Sequence, residues 1–100
     1  MSINEFMNKN VQIIKLDLIS KMPDTFDSHF FIKKFAKKFE TEYIQFLSAY
    51  DKDQHQNVHK QIARNLQTND TILGIKSVGT IESETCFGEI SSNENWTKRK

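Results

Sequence analysis

The chain has 100 residues, room for one domain and one core, which at this length buries about two-thirds of the surface its unfolded form exposes. Hydrophobic residues make up 37%, and eight Phe, two Tyr and one Trp concentrate apolar area, so a core can form without cross-links. A net charge of +1, one cysteine and no apolar run near the roughly 20 residues of a membrane span exclude a disulfide framework, a membrane-spanning helix and a strongly basic domain.

The lone thiol, Cys86, suits a reducing compartment. Residues Met1 to Glu5 lack the basic segment and apolar run of a signal peptide. The expectation is a cytoplasmic protein without membrane contact, with a single domain over residues 1–97 and a disordered basic tail at 98–100. Positive charge is clustered: Lys33, Lys34, Lys37 and Lys38 within six residues, then Lys60 and Arg64, then Lys98, Arg99 and Lys100.

In chain order, Ser2 and Glu5 have the spacing of a capping box, in which each side chain satisfies an orphan backbone N–H. Phe6, Val11, Ile14, Leu18 and Met22 follow at helical intervals, with Ile13, Leu16 and Ile19 widening the face. Pro23 disfavours helical geometry at Met22, so a first helix is predicted over 4–22, its pattern weakest at Asn8-Lys9-Asn10. Asp24 to Ser28 reads as a turn and restart, with Asp27 or Ser28 as cap and Phe26 as a staple. Phe31, Phe35, Phe39, Tyr43, Leu47 and Tyr50 then keep one phase, predicting a core-facing ladder. No Gly or Pro interrupts 27–50, so one long helix and two helices joined near Glu40-Thr41 both fit, with Thr41 as an internal cap in the second case.

Asp51-Lys52-Asp53 is a polar connector with two capping candidates. The helix predicted over 54–67 has a narrow apolar stripe, Val58, Ile62 and Leu66, with Ala63 beside it. Its other residues are Gln, Asn, His, Lys and Arg, and no acid is among them. Such a face is built to touch something polar or anionic. Thr68-Asn69-Asp70 ends the helix. Beyond it the period changes. Thr71 to Ile81 and Glu84 to Ile90 read as two strands with a bend near Glu82-Ser83, and all three glycines lie here. Ser91 to Asn95 reads as loop, Trp96 as an anchor onto the body, and Thr97 to Lys100 as loose.

The fold class expected is mainly α with a C-terminal β-hairpin (α+β), with three or four helices. That element order, carried by Asn57 to Leu66 and Ile72 to Ile90, resembles the winged helix-turn-helix superfamily. The resemblance implies a recognition helix in the major groove of double-stranded DNA and a wing on flanking phosphate or minor groove. It would make Gln56, Asn57, His59, Lys60, Gln61 and Arg64 base-edge residues, since Asn and Gln pair with adenine and Arg with guanine. Lys33, Lys34, Lys37 and Lys38 would contact phosphate. The chain departs from the pattern in carrying extra helix at 40–50 and an acidic hairpin, with Glu82, Glu84 and Glu89 against Lys76.

The implied function is a DNA-binding regulatory or accessory protein. The rival reading is a protein-interaction module, or a homodimer, using the same helix or the Phe-rich face. His55 and His59, four apart on a helix, could share a metal ion, but Gln56 stands where a zinc protease carries its basic Glu. No cofactor motif and no catalytic constellation is visible, so no enzyme is expected. Cys86 beside Phe87 reads as a small core residue, and His29 as a first-turn surface residue.

Overall fold

A computed structural model of the protein describes residues 2–85 and 87–99. The first helical stretch opens with the predicted capping box: Glu5 N donates to Ser2 Oγ at 3.1 Å and Ser2 N to Glu5 Oε1 at 3.3 Å. Helix α1 (Ile3–Lys9) ends where the apolar repeat is weakest. Asn10 leaves helical geometry and its side-chain amide donates to the Phe6 carbonyl at 2.8 Å, competing for an acceptor of the helix ladder. A short α2 (Val11–Ile13), a π-helical turn over Ile14–Leu18 and a 3-10 turn over Ile19–Lys21 complete the stretch. The π turn changes the phase. Ile14, Leu18, Ile19 and Met22 are buried, whereas Ile13 and Leu16, expected on the same face, are exposed. Met22 is extended before Pro23, as its sequence position requires.

Strand β1 (Thr25–Asp27) occupies the segment read as a turn. Asp27 then caps α3 (Ser28–Lys38), accepting from Phe30 N at 2.8 Å. The 27–50 segment is two helices. The break falls at Phe39 (φ −115°, ψ 50°), and α4 (Glu40–Ser48) has no side-chain cap, so Thr41 does not serve as one. Phe39 spends its helical geometry on ring contacts, lying 5.1 Å from both Phe6 and Phe35, centroid to centroid. Helix α5 (Gln54–Thr68) follows an Asp53 in the left-handed region (φ 51°), and neither connector aspartate caps it.

A helical turn α6 (Asp70–Leu73) replaces the predicted start of the first hairpin strand, and Gly74 (φ 73°) closes it. Strands β2 (Ile75–Glu84) and β3 (Ile90–Lys98) form the hairpin. The bend lies at Thr85 to Glu89, not at Glu82-Ser83, whose residues pair with Ser92 and Ser91. Thr85 N donates to Glu89 O at 2.7 Å, and Gly88 takes a positive φ of 82° within the loop. In the predicted partner segment Glu84–Ile90, Glu84 and Ile90 are strand ends and Thr85, Phe87, Gly88 and Glu89 are outside strands, Cys86 lying outside the described residues; the predicted loop Ser91–Asn95 is strand. A polar segment can be a strand here because the ribbon's ladder satisfies backbone groups, while few of its side chains need burial.

The sheet order is β1-β3-β2, all antiparallel. Trp96 fixes it. This residue, 1% exposed, pairs with Phe26 on one side and Ser77 on the other. Between the pairs Ser77–Trp96 and Thr80–Glu94, β2 carries one extra residue, a bulge with Gly79 at φ 113°. Lys98 completes β3, with its ammonium on the Met22 carbonyl at 2.6 Å, and Arg99 Nε donates to Ile75 O at 2.8 Å. These two residues are therefore held, in place of the loose tail expected over 98–100; Lys100 lies outside the described residues.

The core joins Met7, Ile14, Phe31, Phe35, Val58, Ile62, Leu66, Ile75 and Trp96. In the Phe-rich ladder Phe31 and Phe35 are buried and Phe39, Leu47 and Tyr50 partly buried, while Phe30 beside it is exposed. The fold is mainly helical with a C-terminal hairpin, as expected, enlarged to three strands by β1. Among the described residues no helix is long and apolar enough to cross a membrane.

Candidate functional site

Helix α5 presents the most chemically distinctive surface. Val58, Ile62 and Leu66 are fully buried, as their spacing predicts, and Asn65 is 2% exposed beside them. Asn65 Nδ2 donates to Asn4 Oδ1 at 2.7 Å and Asn8 Oδ1 at 3.1 Å. Asn69 Nδ2 donates to Asn8 Oδ1 and Asn65 Oδ1, both at 2.8 Å. This chain of amides docks α5 on α1 and fixes which faces of α5 turn outward, because a buried amide left unpaired is costly.

One outward face carries Asn57, Lys60, Gln61, Arg64 and Thr68, which line a shallow groove of about 390 Å³ closed on one side by Asn4 of α1. Four of the six predicted α5 residues meet there. Two of these amides are partly committed within the chain: Asn57 Nδ2 donates to Asp53 O at 3.1 Å, and Gln61 Nε2 to the Tyr50 hydroxyl. Lys60 and Arg64 form no ion pair among the described residues.

The other predicted pair, Gln56 and His59, turns the opposite way. With Lys60 they line a larger hollow, about 550 Å³, between α5, the first turn of α3 and the hairpin tip. His59 Nε2 lies 2.6 Å from the Tyr43 hydroxyl, and His55 Nδ1 lies 2.9 Å from the same oxygen. That hydroxyl has one proton, so it donates to one ring and accepts from the other while both imidazoles are neutral. Phe87 of the hairpin loop covers the pair, 4.5 Å from His55 edge-on and 6.2 Å from His59 with nearly parallel rings. Burial, then the neighbouring His55 and His29, push the His59 pKa down to about 4.

His29 is part of the same wall. Nδ1 meets Ser83 Oγ at 2.9 Å, Nε2 meets Ser91 Oγ at 3.2 Å, and its backbone N donates to Asn93 Oδ1 at 2.9 Å. Position alone placed it at a helix start; nothing in the sequence marks it as the clasp between α3 and the hairpin. Asn4, Tyr43 and Phe87 were likewise not marked, since their partners are distant in sequence.

The lysines of α3 have different neighbours. Lys38 pairs with Asp17 at 3.4 Å, Lys34 lies 5.3 Å from the centre of the Phe30 ring, and Lys33 borders a small hollow with Asp27 and Glu84. Lys37 is exposed. Their spacing at i, i+1, i+4 and i+5 sets Lys33 with Lys37 and Lys34 with Lys38 in two adjacent rows on one side of the helix, so what separates them is their different neighbours rather than the helix geometry. Among the described residues no group of three His, Cys, Asp or Glu side chains could hold a metal ion, and Cys86 lies outside those residues. In comparisons with known families, curated proteins and solved structures, the chain has no match.

Proposed function

We propose that this protein is a winged-helix-like domain that binds double-stranded DNA through the outward face of α5. The observation that carries this reading is the convergence of Asn57, Lys60, Gln61 and Arg64 on one acid-free groove along a well-anchored helix. The element order, with a strand before α3, α5 preceding a hairpin and β3 central in the sheet, supports it. In this reading Arg64 and Lys60 approach base edges and phosphates, and the α3 lysines play a lesser part than their number suggests.

With two cations on the DNA rather than four or more, affinity falls with salt along a log–log slope of about −2. The test is a fluorescent duplex titrated with protein at two ionic strengths. Absence of binding at low salt ends the proposal.

The hairpin favours a second reading, a protein-interaction module. Val78, Ile81, Phe87 and Ile90 are exposed apolar residues on a ribbon that also carries Glu82, Glu84 and Glu89, a composition unsuited to phosphate. A stable oligomer by light scattering, indifferent to DNA, supports that reading over the first.

A further inference from the structure

The hollow between the hairpin tip and α5 shares Lys60 with the outward groove, is otherwise lined by other residues, and has features of a small-molecule site. Its volume of about 550 Å³ falls in the range of about 300–1,000 Å³ that such sites occupy. Ile32, Ala63 and Phe87 give it an apolar side. Its polar wall is already satisfied internally: His29 is held by Ser83 and Ser91, and Ser28 accepts from Trp96 Nε1 at 2.9 Å. Those groups shape the hollow without needing a ligand to complete them.

The charged lining differs. Lys60 faces the hollow from α5, and Glu89 faces it from the hairpin loop, yet neither forms an ion pair among the described residues. Glu94 adds a second carboxylate and accepts from Ser77 Oγ. One ammonium and a carboxylate, held by different elements around a shared apolar side, complement a molecule with both charges and a hydrocarbon or aromatic portion. We propose that this hollow binds a free amino acid with an apolar side chain. Its carboxylate lies toward Lys60, its ammonium toward Glu89, and its side chain against Ile32, Ala63 and Phe87. The inference does not depend on DNA binding, and its test contains no DNA.

The experiment is an amide-resolved NMR titration of the full chain with leucine, phenylalanine and glycine. Leucine or phenylalanine shifts the resonances of Gln56, Lys60, Ala63 and Phe87 saturably below about 10 mM, and glycine does so at least tenfold more weakly. N-acetyl-leucine and leucinamide, each lacking one charge, bind about three- to tenfold more weakly than leucine. Ala63→Trp fills the hollow and abolishes the shifts. Lys60→Gln and Glu89→Gln, both at exposed positions, each weaken binding about three- to tenfold, so the idea is testable even where Ala63→Trp perturbs folding. No saturable shift with either apolar amino acid overturns it. So do equal affinity for the blocked compounds and full affinity in both charge-neutral variants.

Discussion

The indole of Trp96 donates from Nε1 to Ser28 Oγ at 2.9 Å, tying the centre of the sheet to the first turn of α3 across 68 residues of sequence. Both residues are almost fully buried. The pair therefore holds the hairpin against the helices that flank α5. Replacing Trp96 with Ala is expected to cost about 3–5 kcal/mol through the void it leaves. Ser28→Ala, which strands the indole N–H, costs about 1–3 kcal/mol. Urea unfolding followed by circular dichroism measures both, and equal small effects below about 0.5 kcal/mol would mean that the pair is peripheral.

The amide chain Asn4, Asn8, Asn65 and Asn69 carries a second expectation. Asn65→Ala takes a donor from the exposed Asn4 and Asn8 and an acceptor from the buried Asn69, and should destabilise by about 1–2 kcal/mol. Asn65→Leu, which keeps volume but not polarity, should not restore full stability, since the buried Asn69 amide still loses its Asn65 acceptor. Full stability of the Leu variant would show that α5 is placed by its apolar stripe alone.

Acid titration should expose the His59 site. Its folded pKa, about 4, lies below the ordinary 6.5 because burial opposes the charged ring and His55 and His29 add repulsion. Between those values the unfolded chain binds the extra proton and the folded one does not. Stability contributed by neutral His59 is therefore present above pH 6.5 and is lost as pH falls toward 4. His59→Gln should flatten the stability–pH curve in that window. The ring's own titration is read from its C–H resonances by NMR, and a midpoint near 6.5 would contradict the burial argument.

Phe87 is 58% exposed yet lies over both imidazoles. Phe87→Ala should leave overall stability within about 1 kcal/mol of the parent, because little area is lost from a solvated ring. It should raise the His59 midpoint, as water reaches the ring, and speed amide exchange in the hairpin loop. An unchanged midpoint would assign the burial of His59 to Tyr43 and α3 alone.

The α5 groove has its own test. Lys60→Ala with Arg64→Ala should lower affinity for a duplex at least tenfold and bring the salt slope toward zero. The melting temperature should stay within a few degrees, since both side chains are exposed. Loss of folding in place of loss of binding would move these residues from recognition to structure.

Several features were legible in the residues themselves. Local chemistry shows them directly: the Ser2–Glu5 box, the stop at Pro23, the Asp27 cap, and the buried stripe Val58–Ile62–Leu66 all arise within a few residues of one another. The break near residue 40 was visible as an alternative, but its place was decided by Phe39 turning onto Phe6 and Phe35. The hairpin was visible in kind and wrong in register. Its bend moved from Glu82-Ser83 to the loop before Ile90 because Trp96 had to reach the core opposite Phe26 and Ser77.

By itself the chain determined most of the helical segments, though not α6, which helix lacks acids, and much of the core, though not the exposure of Ile13 and Leu16, because capping, periodicity and turn chemistry act over short separations. Only the tertiary structure decided that β1 joins the sheet, that Lys33, Lys34 and Lys38 of α3 have different neighbours, and that His29, His55, His59 and Phe87 gather around one hollow. Those outcomes depend on how faces rotate when distant elements close on a common core, and no short window of residues carries that angle.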